Sequence, residues 1–373
     1  MSRRSAIVIG AGIAGLAAAR ALAVRGYQVK VFERTGKAVG ASVRNFGMII
    51  PFGQTDGEYY ERAMLSRQIW KQVCTDARIW HNESGSLQLA YAEDEWQVLQ
   101  EVKESYANRH YEILSAEGTT KKSGAVIKEG LIGSLYSKDE IIVDPRLAIN
   151  TIPLFLTEKY DVEFLWGKAI TDVCYPAVYA GKEQFNADEI YVCSGGDFET
   201  LYPELYSQLP ITRCKLQMLR LTAQPDGWRI GPMLCAGLSL IHYNSFKVAH
   251  SLDKLKKRLE NEYPEYIKWG IHVMVSQNEA GELTIGDSHE YGLTPDPFDK
   301  SRINDLILSY LGKFAQFKDT RVIETWNGVY PKLTNGQTDV ILEPEKGVTV
   351  VNGLGGAGMT FSFGLFEELL SKK

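Results

Sequence analysis

Residues 6–33 read AIVIGAGIAGLAAARALAVRGYQVKVFE, and this stretch decides the fold class of the chain. An apolar run opens it, and the three glycines Gly10, Gly12 and Gly15 then lead into a helical pattern. A second apolar run follows and ends at an acid, Glu33. The order of these elements is that of a dinucleotide-binding βαβ unit: a strand, a glycine-rich turn, a helix, a second strand and a terminal acid. We therefore predict such a unit at the start of an α/β fold.

Each glycine in this turn has a physical task. Gly10 permits the tight turn, Gly12 lets the backbone approach a pyrophosphate, and Gly15 allows the helix to pack closely on the strand. The helix N-terminal amides then face the phosphates, and the Glu33 carboxylate accepts hydrogen bonds from a ribose diol. An acid there favours an unphosphorylated ribose, which leaves FAD and NAD open and disfavours NADP. We predict cofactor contacts here from Gly10, Gly12, Ile13, Ala14, Gly15, Glu33 and Arg34.

Residues 40–47, GASVRNFG, follow the ribose-binding acid, and their interpretation depends on the first motif. Ser42 and Arg44 are placed to contact a pyrophosphate, and Gly47 lets the backbone approach a flavin ring. A solvated loop is the alternative for Arg44 alone. We include Ser42, Arg44, Asn45 and Gly47 among the predicted cofactor-binding residues.

A second glycine cluster, residues 353–360 with the sequence GLGGAGMT, opens the C-terminal helical pattern. A helix N-terminus aimed at the N1/C2 carbonyl edge of a flavin stabilises the negative charge of the reduced ring. A simple NAD dehydrogenase does not need this second cluster, so the pair of glycine motifs favours FAD. The predicted cofactor residues in the second half of the chain are Ile170, Gly195, Gly355, Gly356, Ala357, Gly358, Met359 and Thr360.

Bulk properties exclude several classes of partner. The chain has 373 residues, of which 45% are hydrophobic and 23% charged, and its net charge is −5. We therefore expect neither nucleic acid nor an anionic membrane surface as a partner, although a locally positive site can still bind a small anion. The five cysteines are odd in number and never form a C-x-x-C pair, which argues against a disulfide framework and a structural zinc site. We predict buried free thiols and no metal.

Arg3 and Arg4 before an apolar run give the N-terminus a superficial likeness to a signal peptide. Glycines at fixed spacing interrupt that run, and no small-residue cleavage site follows it. Nothing else in the sequence is apolar for long enough to span a bilayer. We therefore expect a cytoplasmic protein without an integral membrane segment.

Periodicity and turn residues predict the remaining elements. We expect a helix over 58–76 and another from an Asp144 cap to about residue 159. Strand segments are predicted over 124–144. Residues 214–275 are predicted to be β-rich with one charged helix. His242 falls in this region, and as an alternative to a binding role it can be a strand histidine whose ring nitrogens are hydrogen-bonded within the protein.

Taken together, these segments resemble the D-amino-acid oxidase-like FAD oxidoreductases, nearest the glycine oxidase and sarcosine oxidase branch. The likeness extends over nearly the whole chain, so it concerns architecture rather than one loop. It implies hydride transfer from an amine-bearing carbon to flavin N5, an imine product that water hydrolyses, and no catalytic base. The matching segments are the two glycine motifs with Glu33, residues 42–47, VCSGG 192–196, LTIGD 283–287 and WNGVYP 326–331.

The resemblance also implies a domain organisation. A Rossmann-like FAD-binding domain of the glutathione-reductase type is expected with an inserted antiparallel β-sheet substrate domain of the α+β class. We predict that the FAD-binding domain comprises residues 1–80, 143–208 and 326–373. The substrate-binding domain is then made of residues 81–142 and 209–325.

Two departures from the family pattern bear on the chemistry. Amino-acid-oxidising members commonly carry an arginine just before the proline of the segment like 326–331, where it pairs with the substrate carboxylate, and this chain has Tyr330 there. Because a carboxylate needs a positioned bidentate donor, the change disfavours a plain α-amino acid. The sarcosine oxidases tether their flavin through a cysteine near the C-terminal region. No cysteine follows Cys235 here, so we expect FAD to be bound noncovalently.

Residues 40–47, LIHY 240–243 and GDSHEY 286–291 are further similar to a bacterial subgroup associated with phosphonate catabolism. That similarity implies an aminoalkylphosphonate or its N-methyl derivative as the substrate. Each candidate donor also has a purely structural interpretation: a histidine or an aromatic side chain can belong to the core, and a lysine can be solvated at the surface. His289 is a candidate to hold a loop by local hydrogen bonds. The predicted donors to an anionic head group are His242, Tyr243, Tyr330 and Lys332, with Arg44 as a further candidate.

The sequence thus predicts an FAD-dependent amine oxidoreductase that acts on a small primary or N-methylated amine, for example 2-aminoethylphosphonate. Oxygen or another electron acceptor is its expected second partner. Three alternatives stay open at this point. They are a glycine, sarcosine or D-amino-acid oxidase or dehydrogenase, an NAD-linked dehydrogenase, and a non-catalytic FAD-binding subunit.

Overall fold

A computed structural model describes residues 3–372 of the chain. Its first strand, Ser5–Ile9, lies in the middle of a mostly parallel sheet and pairs in parallel with Gln28–Glu33 on one side and Glu189–Val192 on the other. Only the edge strand Val340–Leu342 runs antiparallel to its neighbour in this sheet. In spatial order the strands of this mostly parallel sheet are Val340–Leu342, Val348–Asn352, Glu189–Val192, Ser5–Ile9, Gln28–Glu33 and Glu163–Trp166.

The turn after the first strand has the geometry that its glycines predict. Gly10 has φ +103°, and a Cβ there would overlap the carbonyl oxygen of Cys193. A Cβ on Gly15 would overlap the carbonyl oxygen of Gly10, so the helix Ile13–Val24 packs directly against the turn. The predicted βαβ unit is confirmed, and glycine is required at both positions because of close backbone approach.

A second, larger sheet is mostly antiparallel. Its two longest strands, Ile211–Leu221 and Val322–Leu333, pair along almost their whole length. Met233–Ala236 and Ser86–Ala90 form its parallel pair. In spatial order the large sheet contains Glu290–Gly292, Ile211–Leu221, Leu283–Gly286, Met274–Gln277, Met233–Ala236, Ser86–Ala90, Gly133–Ser137 and Tyr111–Ser115, with Val322–Leu333 beside Ile211–Leu221.

Two small sheets and the helices complete the described part of the chain. One small sheet consists of Met48–Ile49, Ile141–Val143 and His81–Asn82, and the other of Asp172–Cys174, Ala177–Ala180 and Glu183–Asn186. The α-helices are Ile13–Val24, Glu58–Asp76, Glu93–Ser105, Ala116–Lys122, Pro145–Tyr160, Pro203–Gln208, Leu252–Glu262, Pro264–Lys268, Ser301–Leu311 and Gly358–Ser371. Short 3-10 turns lie at Ala41–Val43, Pro51–Gly53, Pro225–Gly227, Gly237–Ile241, Asn244–Val248 and Gly355–Ala357. No described helix combines the length and apolarity needed to cross a membrane.

The C-terminal helix is held in place by buried contacts. Trp70, on the helix Glu58–Asp76, is buried and donates its indole N–H to the carbonyl oxygen of Met359 at 2.7 Å. Arg62 of the same helix is also buried and forms ion pairs with three acids, Glu58, Asp339 and Glu368. These contacts fix the start of the C-terminal helix beside the turn after the first strand.

Several predicted elements are confirmed in place. The helix Glu58–Asp76 has the predicted bounds, and Asp144 caps the helix Pro145–Tyr160 by accepting hydrogen bonds from the amides of Arg146 and Leu147. All five cysteines are free, as predicted. Four are buried, but Cys174 is exposed, which corrects the expectation that all of them are buried.

Three predictions need correction. Residues 124–132 form no strand. The strand segments of that region are Gly133–Ser137 and Ile141–Val143. Residues 214–275 contain a second helix, Pro264–Lys268, and three 3-10 turns, Pro225–Gly227, Gly237–Ile241 and Asn244–Val248. His242 lies between the last two turns rather than on a strand, because the chain turns away from the sheet after Ala236.

The long strand Val322–Leu333 had no counterpart in the predicted elements. Its first four residues are exposed, so it lacks the apolar alternation that would have marked it. It also spans residue 326, where the predicted division into two domains places a boundary. That division remains a prediction.

Candidate active site

A cleft of about 820 Å³ lies where the mostly parallel sheet and the large sheet come together. One end is lined largely by backbone from the glycine-rich segments, and we name it the glycine end. The other end is lined by polar side chains of the large sheet and its loops, and we name it the head-group end. The predicted site residues that line the cleft are Ile13, Ser42, Arg44, Asn45, His242, Tyr243, Tyr330, Lys332, Gly355, Gly356, Ala357, Gly358, Met359 and Thr360.

The start of the C-terminal helix forms one wall of the glycine end. Gly355 has φ +57°, and a Cβ there would have no atom within 4 Å, so its backbone is open. The residue that precedes the helix, Ala357, offers no side-chain cap, so the first amides of Gly358–Ser371 keep free donors. Thr360 uses its hydroxyl oxygen to accept a hydrogen bond from the Ile50 amide at 3.0 Å. This wall therefore offers backbone donors and a positive helix end to a bound group.

The loop after the first βαβ unit forms the opposite wall. Ser42 Oγ accepts a hydrogen bond from the Ile13 amide at 2.9 Å, which ties the loop to the start of the first helix. Asn45 shapes the loop, because its Oδ1 accepts from the Gly47 amide at 2.7 Å and its Nδ2 donates to the Ser42 carbonyl at 2.9 Å. Gly47 itself has φ +71° and packs against Val143 rather than lining the cleft.

The remaining predicted cofactor residues lie outside the lining of the cleft. Glu33 accepts hydrogen bonds from the amides of Ala11 at 3.0 Å and Thr35 at 3.1 Å, so its carboxylate stands beside the first glycine turn. Arg34 forms an ion pair with Asp197 at 2.7 Å. The full set outside the lining is Gly10, Gly12, Ala14, Gly15, Glu33, Arg34, Gly47, Ile170, which is buried, and Gly195, which has φ +58°. Their roles toward a ribose and a pyrophosphate stay predictions.

Lys332 is the cation of the head-group end. Its Nζ donates a hydrogen bond to the Tyr291 hydroxyl at 3.0 Å, and no described carboxylate lies within 4.0 Å of it. Arg44 also lines the cleft, but its guanidinium donates to the carbonyls of Val39 and Asn327. Asp287 is the only carboxylic acid among the described residues that line the cleft. Lys332 is thus a cation without a counter-ion beside a cleft that contains one acid.

Three histidines meet at the head-group end. The ring centroids of His242 and His272 lie 3.7 Å apart in a stacked arrangement, and that of His289 lies 4.9 Å from His242 and 5.2 Å from His272. One ring nitrogen of each lies within 4.8 Å of those of the other two. His289 Nδ1 is 2.9 Å from the Gly270 carbonyl oxygen, so this side chain holds a neighbouring loop as well as lining the cleft. We refer to these three residues as the histidine cluster.

Asp287 stands beside the histidine cluster in the protein interior. Its Oδ1 is 3.3 Å from His272 Nε2, and its Oδ2 is 3.9 Å from His289 Nε2. Burial raises the pKa of Asp287 well above its ordinary value. For the same reason burial lowers the pKa of His272, and that of His289 falls to about 4. The exposed His242 side chain stacks on His272. At neutral pH the buried members of the cluster are therefore uncharged.

Sequence reasoning missed three members of this end. Asp287 and Tyr291 belong to GDSHEY 286–291, a segment that the family resemblance singled out without assigning them a role. His272 carried no signal, because it stands alone between two loop residues and meets the cleft only through the fold. Tyr243, a predicted donor to the head group, lines the cleft, but its hydroxyl donates to the Met274 sulfur at 2.9 Å.

Comparison with known proteins settles the family. The sequence profile of the family described as FAD dependent oxidoreductase (DAO) matches residues 5–369. The chain belongs to this family. The predicted fold class and the predicted cofactor, FAD, are thereby confirmed, and the alternatives of an NAD-linked dehydrogenase and a non-catalytic subunit are set aside. The walls of the glycine end fit that cofactor, because the uncapped start of the helix Gly358–Ser371 and the open backbone of Gly355 face it.

Curated relatives of this FAD-dependent oxidoreductase are distant. It is 27% identical over 249 residues to the tRNA 5-methylaminomethyl-2-thiouridine biosynthesis bifunctional protein MnmC of Pseudomonas aeruginosa (strain UCBPP-PA14), a match that covers 63% of this chain and 36% of that protein. It is 22% identical over 252 residues to the D-amino acid dehydrogenase of Helicobacter pylori, with 52% and 60% covered. The chain spans less than two thirds of the length of either relative.

Solved structures share the fold over the whole chain. The glycine oxidase from Geobacillus kaustophilus is 17% identical with a TM-score of 0.77, and the match covers 100% of this chain and 94% of that one. The L-proline dehydrogenase from P. horikoshii has the same values. The L-alpha-glycerophosphate oxidase from Mycoplasma pneumoniae, solved with FAD bound, is 17% identical with a TM-score of 0.72 and coverage of 100% and 96%. These similarities establish the fold.

Proposed function

We propose that this FAD-dependent oxidoreductase oxidises a small amine with an anionic head group, specifically an aminoalkylphosphonate such as 2-aminoethylphosphonate or its N-methyl derivative. The observation that carries the proposal is Lys332, which lines the cleft with Tyr291 as its hydrogen-bond partner and no described carboxylate within 4.0 Å. A cation without a counter-ion beside a partly enclosed cleft attracts an anion strongly, because solvent screens it less than at an open surface.

The character of the donors favours a tetrahedral head group. A planar carboxylate is bound best by the bidentate fork of an arginine, and Tyr330 stands where the family resemblance expects that arginine. The head-group end instead offers separate donors from Lys332, Tyr330 and the histidine cluster. A phosphonate has three oxygens that accept hydrogen bonds from several directions. The glycerophosphate oxidase of the same fold is named for a substrate that also carries such a group.

In the proposed reaction the chain positions the substrate and FAD supplies the electron sink. Bound FAD would accept a hydride from the carbon that bears the nitrogen, and water would hydrolyse the resulting imine to an aldehyde and ammonia, or methylamine from the N-methyl substrate. The head-group end holds the anion, so that the amine carbon lies toward the glycine end. The positive end of the helix Gly358–Ser371 supports negative charge that develops there. No cysteine lines the cleft, which supports noncovalent binding of FAD.

A matched pair of amines tests the proposal. β-Alanine and 2-aminoethylphosphonate have the same amine and carbon spacing and differ only in the head group. Under anaerobic conditions, bleaching of the flavin absorbance is expected to be at least tenfold faster at equal concentration with the phosphonate, a difference of about 1.4 kcal/mol. The N-methyl form belongs in the same panel. Equal or faster bleaching by glycine, sarcosine or a D-amino acid would overturn the substrate class.

An amino-acid substrate is the second candidate. Arg44 lines the cleft and is exposed, so it offers a guanidinium to a carboxylate if it leaves its two backbone acceptors. The D-amino acid dehydrogenase of Helicobacter pylori and the glycine oxidase of the same fold bear names that agree with this candidate. The same anaerobic panel separates the two. Reoxidation of the bleached protein by air or by an added dye then distinguishes an oxidase from a dehydrogenase.

A further inference from the structure

The charges at the head-group end do not balance when a dianion is bound. At the head-group end Lys332 supplies one positive charge, and it is the cation whose charge acts on His242, His272, His289 and Asp287 alike. Arg44, the other cation that lines the cleft, already donates its guanidinium to the carbonyls of Val39 and Asn327. A phosphonate carries up to two negative charges. An unbalanced charge is costly in a partly enclosed site, so a further positive charge must come from the protein or from the solution.

Resting on the proposed substrate class, we infer that the histidine cluster takes up a proton when a dianionic head group binds, and that this proton completes the neutralisation that Lys332 begins. The cluster lies in the lining of the same cleft as Lys332, so the added charge stands beside the anion. An imidazolium donates from both ring nitrogens, and His272 Nδ1 is buried without a hydrogen-bond partner. A carboxylate brings only one negative charge and calls for no proton. The cluster therefore distinguishes a dianion from a monoanion by charge.

Among the titratable groups that face the cluster, only its own histidines can accept the proton and become positively charged. The other titratable groups there are three tyrosines, one thiol, one lysine, and one acid whose pKa burial raises well above its ordinary value. None of these gains a positive charge near neutral pH. They are Lys332 and Tyr330 on Val322–Leu333, Asp287 and Tyr291 after Leu283–Gly286, Tyr243 beside the 3-10 turns, and Cys214 on Ile211–Leu221.

A metal ion is a less suitable occupant of the same cluster. The rings of His242 and His272 are stacked, so their in-plane lone pairs do not converge on a common point, as ligation by both rings requires. The positive charge of Lys332 also lowers the pKa of each of these histidines, and the same repulsion would act on a bound cation. Both observations favour an anion.

Proton uptake is measured directly by calorimetry on the FAD-loaded protein. The probe is ethylphosphonate, which lacks the amine and is not oxidised, and propionate is its carboxylate match. Titrations in two buffers of different ionisation enthalpy give the number of protons bound, after subtraction of the free probe's own ionisation. We expect uptake of about one proton with ethylphosphonate and none with propionate. The affinity calculated from the concentration of the ethylphosphonate dianion should gain about tenfold per pH unit as the pH falls toward 6. Ethyl phosphate as a third probe shows whether a phosphate ester is treated alike.

The location of the proton is tested in two ways. The ³¹P chemical shift of bound ethylphosphonate reports whether the probe itself is protonated, and the inference requires the dianion. His272→Gln and His289→Gln keep a hydrogen-bonding side chain but cannot be protonated, so proton uptake is expected to fall, while His110→Gln, an exposed histidine away from the cleft, retains it. FAD content and thermal unfolding establish that each variant is folded.

Specific outcomes overturn the inference. Ethylphosphonate that binds without proton uptake, binds as the monoanion, or does not bind at all refutes it. Because these titrations on the wild-type protein need no variant, a variant that fails to fold leaves the test intact. The proposed function fails separately, by preferential flavin bleaching with an amino acid. If the matched amine pair shows a preference for phosphonate and uptake is absent, the function stands and the role of the histidine cluster does not.

Discussion

The two ends of the cleft are built from different chemical material. At the glycine end, backbone amides and helix ends line the wall, and side chains such as Ser42 and Asn45 serve to hold the loops in shape. At the head-group end, the lining consists of ionisable side chains around Lys332 and the histidine cluster. The glycine turn that positions the glycine end has no room for a Cβ at Gly10 or Gly15, whereas the head-group end depends on the charges of its side chains and on the proton that they hold.

This difference determines how each end should respond to mutation and to pH. Backbone donors do not titrate, so binding at the glycine end is expected to be insensitive to pH and sensitive to steric change. The histidine cluster and Asp287 change charge, so binding at the head-group end is expected to follow pH. Three substitutions separate the two ends, and a fourth, outside the cleft lining, measures the effect of pH on stability; they follow from the largest expected effect to the smallest.

Gly10→Ala is expected to have the largest effect. The new Cβ would overlap the Cys193 carbonyl oxygen, and φ +103° is unfavourable for alanine, so we expect loss of bound FAD and destabilisation of about 1–3 kcal/mol or more. FAD content per chain and thermal unfolding measure both. Gly36→Ala is the matched control, because its Cβ would have no atom within 4 Å. A variant that retains full FAD would contradict the steric account of the glycine end.

The buried carboxyl of Glu140, which does not line the cleft, provides a separate test of how pH changes the free energy of unfolding. Burial raises the pKa of Glu140 from 4.5 to about 7, where it accepts hydrogen bonds from the Phe52 amide and the Ser86 hydroxyl. The folded state therefore holds this proton more tightly than the unfolded chain does. The contribution to stability is fully present below pH 4.5 and is lost as the pH rises through 7.

Glu140→Gln is expected to remove that pH dependence. Between pH 4.5 and 8 the free energy of unfolding of the variant should gain about 3 kcal/mol relative to the wild type. Urea unfolding at several pH values measures the difference, and subtraction of the two proteins cancels the opposite contribution of the histidine cluster. Parallel curves across this range would refute the assignment of the proton to Glu140.

Lys332→Met tests the head-group end alone. Removing a charged hydrogen-bond donor costs about 1.5–3 kcal/mol, so the concentration of 2-aminoethylphosphonate needed for half-maximal bleaching should rise about ten- to hundredfold. FAD content should stay unchanged, because Lys332 is not part of the glycine end. Lys121→Met, which removes an exposed lysine paired with Glu117, is the control. An unchanged concentration dependence would mean that Lys332 does not bind the head group.

Ser42→Ala is expected to have the smallest effect. It removes the acceptor of the Ile13 amide at 2.9 Å, a cap-like hydrogen bond worth about 1 kcal/mol. The dissociation constant of FAD should rise modestly, with the apparent affinity for the substrate unchanged. Ser207→Ala, in an exposed helix, serves for comparison. A loss of FAD as complete as that of Gly10→Ala would show that Ser42 contacts the cofactor instead of only holding the loop.

The first glycine turn was predictable because its requirements are local. The close approach of backbone to backbone at Gly10 and Gly15 can be met only by glycine, so this turn is visible in the sequence as glycines at fixed spacing. The helix Glu58–Asp76 and the Asp144 cap were predictable for the same reason, because period and capping chemistry are written within one segment. The exposed start of Val322–Leu333 lacked such a local signal and was missed.

The sequence by itself determined the βαβ start, the second glycine motif before the C-terminal helix, and the replacement of an expected arginine by Tyr330. Only the tertiary structure decided that His242, His272 and His289 stack beside Asp287 and Lys332. These residues come from the link between two 3-10 turns, two loops and a long strand, and they are separated by up to 90 residues in the sequence. Their meeting point depends on strand order and register in the large sheet, which arise from long-range pairing and leave no period or spacing in the sequence.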